Sequence, residues 1–469
     1  MSTAALARPA RQVPAPKLTL TQPLALAGYL GICGLLGWFA LSRVVVAGDW
    51  PSALWPIAAG IVCNASCGIL GCYLVLRRMS LLGDAISHAV LPGLVLGYMV
   101  SGSLTSPWIF VGALVLGIAT SMLAQSVSSL GRVSEDASLG VVFTSLFALG
   151  VILVGLFPGA DLDTDCVLNG DIAVASVDLR SVGGWLVPRP LVALVPVLGI
   201  VLLFVALLWK ELKIVSFDPA LAAAMGFRVM LLHYLLMGMV SLVTVASFES
   251  VGSILVVAVL IVPAAAAAQI TERLSWMMAW AAAIGATSAV FAYWLAQIFD
   301  THLAGATAVV AGVQFTAAVF LSPQRGLISR WLRNQALAVR IAAEDVVGRL
   351  YRAEERGQAT GVGSQETGVS GIVGWLANWR LFHREWVARD RAGGLRLTAS
   401  GRDAARQLVR AHRLWESYLD THFDLPRDHL HEAAERMEHY LDPQLADELA
   451  AELAGRAVDP HGKEIPAAP

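Results

Sequence analysis

The chain has 469 residues, 57% hydrophobic and only 14% charged, with a net charge of −2. Ordinary globular domains carry about 45–50% apolar and about 25% charged residues, so a wholly water-soluble protein is excluded. The near-neutral total identifies no partner, because it averages two unlike parts. Apolar runs dominate from Leu24 to Leu321, whereas Arg, Asp, Glu and His recur every few residues from Arg330 onward.

Residues 1–23 carry Arg8, Arg11 and Lys17 and lack a cleavage-type signal, which predicts a cytoplasmic N-terminal segment. A membrane span needs about 20 mostly apolar residues. Candidates fall at 24–46, 54–76, 80–100, 108–129, 137–157, 188–209, 229–248, 250–270, 276–298 and 303–322. The stretch 229–270 has little hydrophilic break, so the expectation is eight to ten spans within a membrane domain at 24–323. Arg77-Arg78, Arg132, Lys210, Lys213, Arg228, Arg273 and Arg325 mark alternate loops, while 101–107, 158–175 and 299–302 are uncharged or acidic. That alternation predicts a multi-pass protein of the bacterial inner membrane with both termini in the cytoplasm; Arg43, Arg180 and Arg189 run against the pattern without reversing it.

Within the membrane part, LRRMSLLGDAISHAVLPG places Asp84 and His88 four residues apart, on one face of a helix. Ionisable groups inside an apolar span are costly and point to function. Carboxylate plus imidazole suits a borderline divalent cation; a structural hydrogen-bonded pair between helices is the equal alternative. Glu249 is a second isolated acid, able to complete such a site from another helix or to sit wetted in an outer loop. The acidic run at 161–171, with Asp161, Asp163, Asp165 and Asp171, reads as solvated, the alternative being a loop that attracts cations near the mouth. The segment SFDPALAAAMGF (216–227) combines a helix start at Asp218-Pro219-Ala220-Leu221 with a stop at Gly226. A short exposed helix between two spans is a grip for a partner. No G-x-x-x-x-G-K-[ST] occurs, so the chain binds no nucleotide through a P-loop. The five cysteines form no C-x-x-C pair and predict no framework.

Residues 324–343 form a basic amphipathic exit predicted as a connecting helix, and 344–469 a separate helical domain. Helices are expected at 344–356, 402–422, 427–441 and 443–454, with a glycine-rich piece at 357–374 and a strand-and-turn piece at 386–398. His412 and Glu416 are an i, i+4 pair; His431, Glu435, Glu438 and His439 share one face of the next helix. A solvated polar face would look similar, but four candidate ligands on one stripe beside a second pair favour a divalent metal.

Two resemblances follow. LRRMSLLGDAISHAVLPG, SFDPALAAAMGF and ESVGSILVVAVLIVPAAAAA, within about residues 50–325, resemble the permease subunits of the metal-ion ABC importers. That likeness implies that Asp84 and His88 line a path for Mn, Fe or Zn and that 216–227 is the helix coupling to an ABC ATPase subunit. It also implies an extracytoplasmic metal-binding protein as donor and a pairing of two copies. EDVVGRLYRAEERG, LRLTASGRDAARQLVRAHRLWESYL and HLHEAAERMEHYLD are similar to the iron- and manganese-dependent repressors of the diphtheria-toxin-repressor type. This second likeness implies a winged-helix and dimerisation-like domain whose metal ligands are His412, Glu416, His431, Glu435, Glu438 and His439, with Asp345 added. Glu at 435 leans towards manganese. Gly348 stands where a further carboxylate is expected, leaving a second site incomplete. Gly371 and Gly374 in the reader segment, and Trp375 and Trp379 in place of polar readers, argue against sequence-specific DNA binding.

The expected fold class is therefore all-α: a polytopic membrane domain plus a cytoplasmic helical domain. The expected function is a metal-importer permease that is not itself an enzyme, carrying a metal-sensing tail. The alternative is a membrane-tethered metal-responsive transcription regulator.

Overall fold

The computed structural model describes residues 21–44, 50–102, 106–156, 179–182, 185–357, 371–390, 394–423, 426–453 and 456–468. The acidic run at 161–171 and most of the glycine-rich piece, where the first helix of a helix-turn-helix was expected, lie outside them. The chain divides into two compact units between Ser329 and Arg330.

Among the described residues the first unit is helical apart from one hairpin. Its order is α1 (Thr21–Val44), α2 (Trp50–Leu76), α3 (Leu82–Ala89), α4 (Leu91–Ser101), α5 (Pro107–Gly131) and α6 (Glu135–Leu156). The hairpin β1 (Leu179–Val182) and β2 (Trp185–Pro188) follows, paired antiparallel with Leu179 opposite Pro188. Then come α7 (Arg189–Leu207), α8 (Trp209–Phe217), α9 (Pro219–Ala224), α10 (Val229–Val251), α11 (Ser253–Ile270), α12 (Leu274–Phe299) and α13 (Leu303–Leu321). Among the described residues nine helical stretches are long and apolar enough to cross a bilayer, and the shorter apolar Leu255–Ile270 makes a tenth candidate.

Two sequence features shape this unit. The expected span at 80–100 is two abutting helices, because Pro92 has no N–H to return to the His88 carbonyl and the ladder breaks around Val90. The unclear boundary at 229–270 is settled by Gly252, whose φ of 77° and ψ of 163° belong to a region open only to glycine. The buried centre gathers Cys63, Cys67, Leu70 and Tyr73 of α2, Leu82 and Ile86 of α3, Val240 and Val243 of α10, and Val256 and Leu260 of α11.

Small residues bring backbones into contact. A Cβ on Gly71 would stand 1.8 Å from the Leu260 carbonyl oxygen, so α2 and α11 touch main chain to main chain. A Cβ on Gly93 would lie 2.4 Å from the Gly112 carbonyl oxygen, one on Gly112 2.3 Å from that of Gly93, and one on Gly97 2.6 Å from that of Trp108. This is how membrane helices gain packing where lipid supplies no hydrophobic drive.

The second unit holds most of α14 (Leu327–Glu355), α15 (Ile372–His383), the hairpin β3 (Val387–Arg389) and β4 (Leu395–Leu397), α16 (Ala399–His422), α17 (Arg427–Met437) and α18 (Pro443–Glu452). The connecting helix and the first helix expected after it are one element, since no proline or turn signal interrupts 327–355. The helix expected at 427–441 ends at Met437, and 443–454 appears as α18 behind an Asp442 N-cap that accepts from Leu445 N at 2.7 Å. Val339, Ala343, Val347 and Leu350 of α14 pack on Ala377 and Leu381 of α15 and on Val387, Leu395 and Leu397 of the hairpin. The α14 helix, α15 and the hairpin thus share one core. A smaller cluster joins Ala411 of α16 to Leu441 and Leu449 around α18.

Candidate functional site

Two of the places singled out in the sequence lie in the first unit. The α3 helix carries Asp84 and His88 one turn apart, His88 Nε2 lying 3.5 Å from Asp84 Oδ1. The opposite face, Leu82, Ala85, Ile86 and Ala89, is buried. The acid–imidazole face is not sealed by the rest of the chain, Asp84 being 42% and His88 29% exposed. The His88 ring stacks on Phe143 at 6.1 Å and meets the edge of Phe147 at 5.7 Å, both on α6. These rings fix the imidazole beside the carboxylate. Glu249 is carried by α10, but its side chain lies outside the described residues, so the structure joins two of the three membrane site candidates.

The second place is α9. The Asp218 carboxylate accepts from Leu221 N at 2.9 Å and Pro219 opens the helix. At the other end, Phe227 N donates to Ala222 O and Gly226 N to Ala223 O, with Gly226 at φ 86°. That six-to-one, five-to-two pattern closes the helix. Ala222 is pinned against Val215 and Leu232, while Phe217, Leu221 and Met225 stay exposed at four-residue spacing. Leu221 and Met225, one turn apart, are joined by Phe217 from the end of α8, so this segment displays apolar side chains.

In the second unit, three helices and the C-terminal turn converge. His412 and Glu416 stand on α16, His431 on α17, and Glu438 and His439 directly after α17, while α14 brings Glu344 and Asp345. His412 Nε2 lies 3.1 Å from Glu416 Oε1 and 3.0 Å from His431 Nδ1, and His431 Nδ1 is 3.0 Å from Glu416 Oε1. One donor atom from each lies within 4.8 Å of the others, the spacing of ligands around a single ion. A second such group joins Asp345, Glu438 and His439; a third joins Glu416, Asp459 and His461. The first two groups are bridged, since His412 Nδ1 donates to Glu438 Oε2 at 2.6 Å.

Electrostatics follow from this crowding. Burial pulls the His439 imidazolium down, but the Asp345 and Glu344 carboxylates outweigh it and hold the group up at about 9. Burial pushes Glu416 up, yet His412 and His431 prevail and its carboxyl falls to about 2. His412 is raised by Glu416 and Glu438 against its own burial. His412 and His439 thus sit among carboxylates whose charge a divalent cation would also neutralise, and imidazole with carboxylate suits Mn, Fe or Zn.

The structure brings together His412, Glu416, His431, Glu438, His439 and Asp345. Glu435 is exposed and belongs to none of the three groups. Sequence reasoning missed Glu344, Asp459 and His461, the last of which places Nδ1 3.6 Å from Glu416 Oε2. The i, i+4 search could not reach them, for Asp459 and His461 lie beyond the helices. At Gly348 a Cβ would approach Leu408 Cδ2 to 3.1 Å, so apolar packing occupies the place of the expected carboxylate.

Comparison with known proteins bears on both units. Residues 51–322 match the ABC 3 transport family, and residues 398–467 match the iron dependent repressor, metal binding and dimerisation domain. The manganese transport system membrane protein MntD of Bacillus subtilis (strain 168) is 46% identical over 290 residues, covering 60% of this chain and 95% of that protein. The zinc transport system membrane protein TroD of Treponema pallidum (strain Nichols) is 43% identical over 282 residues, 60% of this chain and 77% of that one. Among solved structures, PsaBC from Streptococcus pneumoniae in complex with Fab superposes with a TM-score of 0.51 at 32% identity, covering 60% of this chain and 94% of that chain. The chain belongs to the ABC 3 transport family, as a multi-pass membrane permease with a repressor-like metal-binding domain at its C-terminal end.

Proposed function

We propose that the chain is the transmembrane permease subunit of an ATP-driven importer for a divalent transition metal, manganese, zinc or iron, in the bacterial inner membrane. The observation that carries this is the Asp84–His88 pair, 3.5 Å apart on a helix inside the span region and open on one side. It offers hard and borderline donors to a passing ion without sealing it in, as transport requires. Manganese and zinc are what the related permeases are named for. Glu249 belongs to the same path in this reading.

The chain hydrolyses no ATP here. A separate ATPase subunit docks on the α9 segment from Asp218 to Gly226, where Phe217, Leu221 and Met225 supply the apolar contact. Two copies pair, an extracytoplasmic metal-binding protein delivers the ion, and both termini face the cytoplasm, in keeping with the loop arginines and lysines. The domain limits are 24–323 for the permease, 324–343 for the connector and 344–469 for the tail.

The donor set of the tail fits a resident divalent ion. His412, Glu416 and His431 would hold one, with Asp345, Glu438 and His439 as a second group and Glu435 at its margin. The ion would supply positive charge that ties α14, α16 and α17 together. A tail ordered by cytoplasmic metal then regulates transport, since a ligand shifts a two-state element by its differential affinity. Against the tethered-regulator alternative, Trp375 and Trp379 stand exposed on α15 where polar readers are expected.

Metal uptake by the reconstituted complex tests the proposal. Asp84→Ala and His88→Ala each lower uptake at least about tenfold, the loss of roughly one ligand's differential binding. Unchanged uptake in both removes the path assignment. Transport that stays equally sensitive to internal metal after deletion of residues 340–469 removes the regulatory role.

A further inference from the structure

The α15 helix has two unlike faces. Gly374, Ala377 and Leu381 are buried and hold it against the core. Ile372, Trp375, Trp379 and Phe382 point the other way, at 78%, 68%, 56% and 39% exposure. At 100° per residue, these four and His383 fall within about a 100° arc. The Trp379 and His383 rings stack at 4.7 Å, which keeps the tryptophan displayed. On the order of 400 Å² of contiguous apolar surface results, as large as the patches that mark interaction sites.

The rim of this face is cationic. No acidic residue occurs from Gly371 to Arg384. Arg384 lies over the Trp386 ring at 5.9 Å and Arg389 over Phe382 at 5.6 Å. Glu385 is the one exposed acid beside them before Asp390.

We propose that this face docks on the anionic surface of the lipid bilayer in which the chain is embedded. Three observations select lipid. Tryptophan and phenylalanine on one side with arginine at the edge is the composition of helices that lie in the headgroup region. Readers of base edges instead need amide, guanidinium or carboxylate groups on the outward face, and here that face is aromatic. Finally, only 50 residues separate Leu321, the last residue of α13, from Ile372. So short a tether keeps the local bilayer concentration high, and a modest apolar helix then suffices. A winged-helix surface is thereby turned from a nucleic-acid face into a membrane face.

The test uses the full chain reconstituted into vesicles of phosphatidylcholine, with or without phosphatidylglycerol, and a trace of phosphatidylglycerol bearing a photoactivatable acyl chain. After illumination and trypsin, the peptide ending at Arg380 reports adducts at Trp375 and Trp379, and peptides from the spans serve as internal standard. Adducts on that peptide are expected in the anionic vesicles. They fall about fivefold for each cation removed in Arg384→Glu and Arg389→Glu, and also in pure phosphatidylcholine. Ile372→Glu, at a position that touches no core residue, lowers them as well. A peptide without adducts in either vesicle overturns the proposal. So does cross-linking of Trp375 to a second copy of the chain, or protection of the peptide by added duplex DNA alone.

Discussion

Replacing Gly71 by Ala is the sharpest test of the packing in the first unit. The added Cβ would start 1.8 Å from the Leu260 carbonyl oxygen and 2.9 Å from its carbon. Real Cβ atoms essentially never come within 3.0 Å, so α2 and α11 must part by about 1.2 Å at that point. The obstacle is backbone on both sides, and no rotamer change relieves it. A gap of that size forfeits a quarter to a half of the dispersion energy of the facing atoms, and overpacking of this kind costs about 1–3 kcal/mol. Gly199→Ala is the control: it sits on α7 with nothing within 4 Å, and exchanging a helical glycine for alanine is favourable by up to about 1 kcal/mol. Thermal unfolding of the purified chain in detergent should therefore fall below the parent for Gly71→Ala and not for Gly199→Ala. Equal midpoints for the two variants would refute the main-chain contact between α2 and α11.

Three other outcomes are expected. Arg413 is buried and forms a fork to Glu355, its Nη2 2.6 Å from Oε2, with Asp459 at 3.7 Å; Arg413→Ala takes the cation from a partly exposed Glu355 and from Asp459, which keeps the N–H groups of His461 and Lys463, and costs about 1.5–3 kcal/mol, read as faster proteolysis of the tail in the intact chain. Leu221→Glu and Met225→Glu place charge on the exposed stripe of α9; each should weaken co-purification with the ATPase subunit while leaving the permease folded, and undiminished co-purification would move the docking surface elsewhere. His412→Ala removes one ligand of the first group together with its hydrogen bond to Glu438 of the second, and should lower tightly bound metal per chain by about one ion, measured by elemental analysis after exhaustive dialysis.

Much of this was legible in the sequence because it depends on spacing along one helix. Asp84 with His88, and His412 with Glu416, are one-turn pairs that any helix aligns. The composition break before Arg330 likewise marked the division of units. The rest depends on which elements meet. Asp459 and His461 reach Glu416 only because the C-terminal turn folds back on α16, and α14 delivers Glu344 to His439 across 95 residues. Neither closure leaves a periodic trace. Gly252 hid the boundary between α10 and α11 for a related reason: one backbone angle separates two apolar helices without any polar residue to announce it. The break at Val90 was likewise concealed, since Pro92 removes a single hydrogen bond from an otherwise unbroken apolar run.

The crossing of α4 and α5 through Gly93, Gly97 and Gly112 has a bearing on how such a chain can change over time. The contact consists of peptide groups, which every residue shares, so no alternative side chain can improve or retune it. Substitution there can only push the helices apart. Leu96 and Met99 on the same helix are 44% and 46% exposed, so apolar residues of other sizes fit there. One short helix thus carries an immovable fulcrum beside freely drifting positions, a single ladder break away from the turn that bears Asp84 and His88.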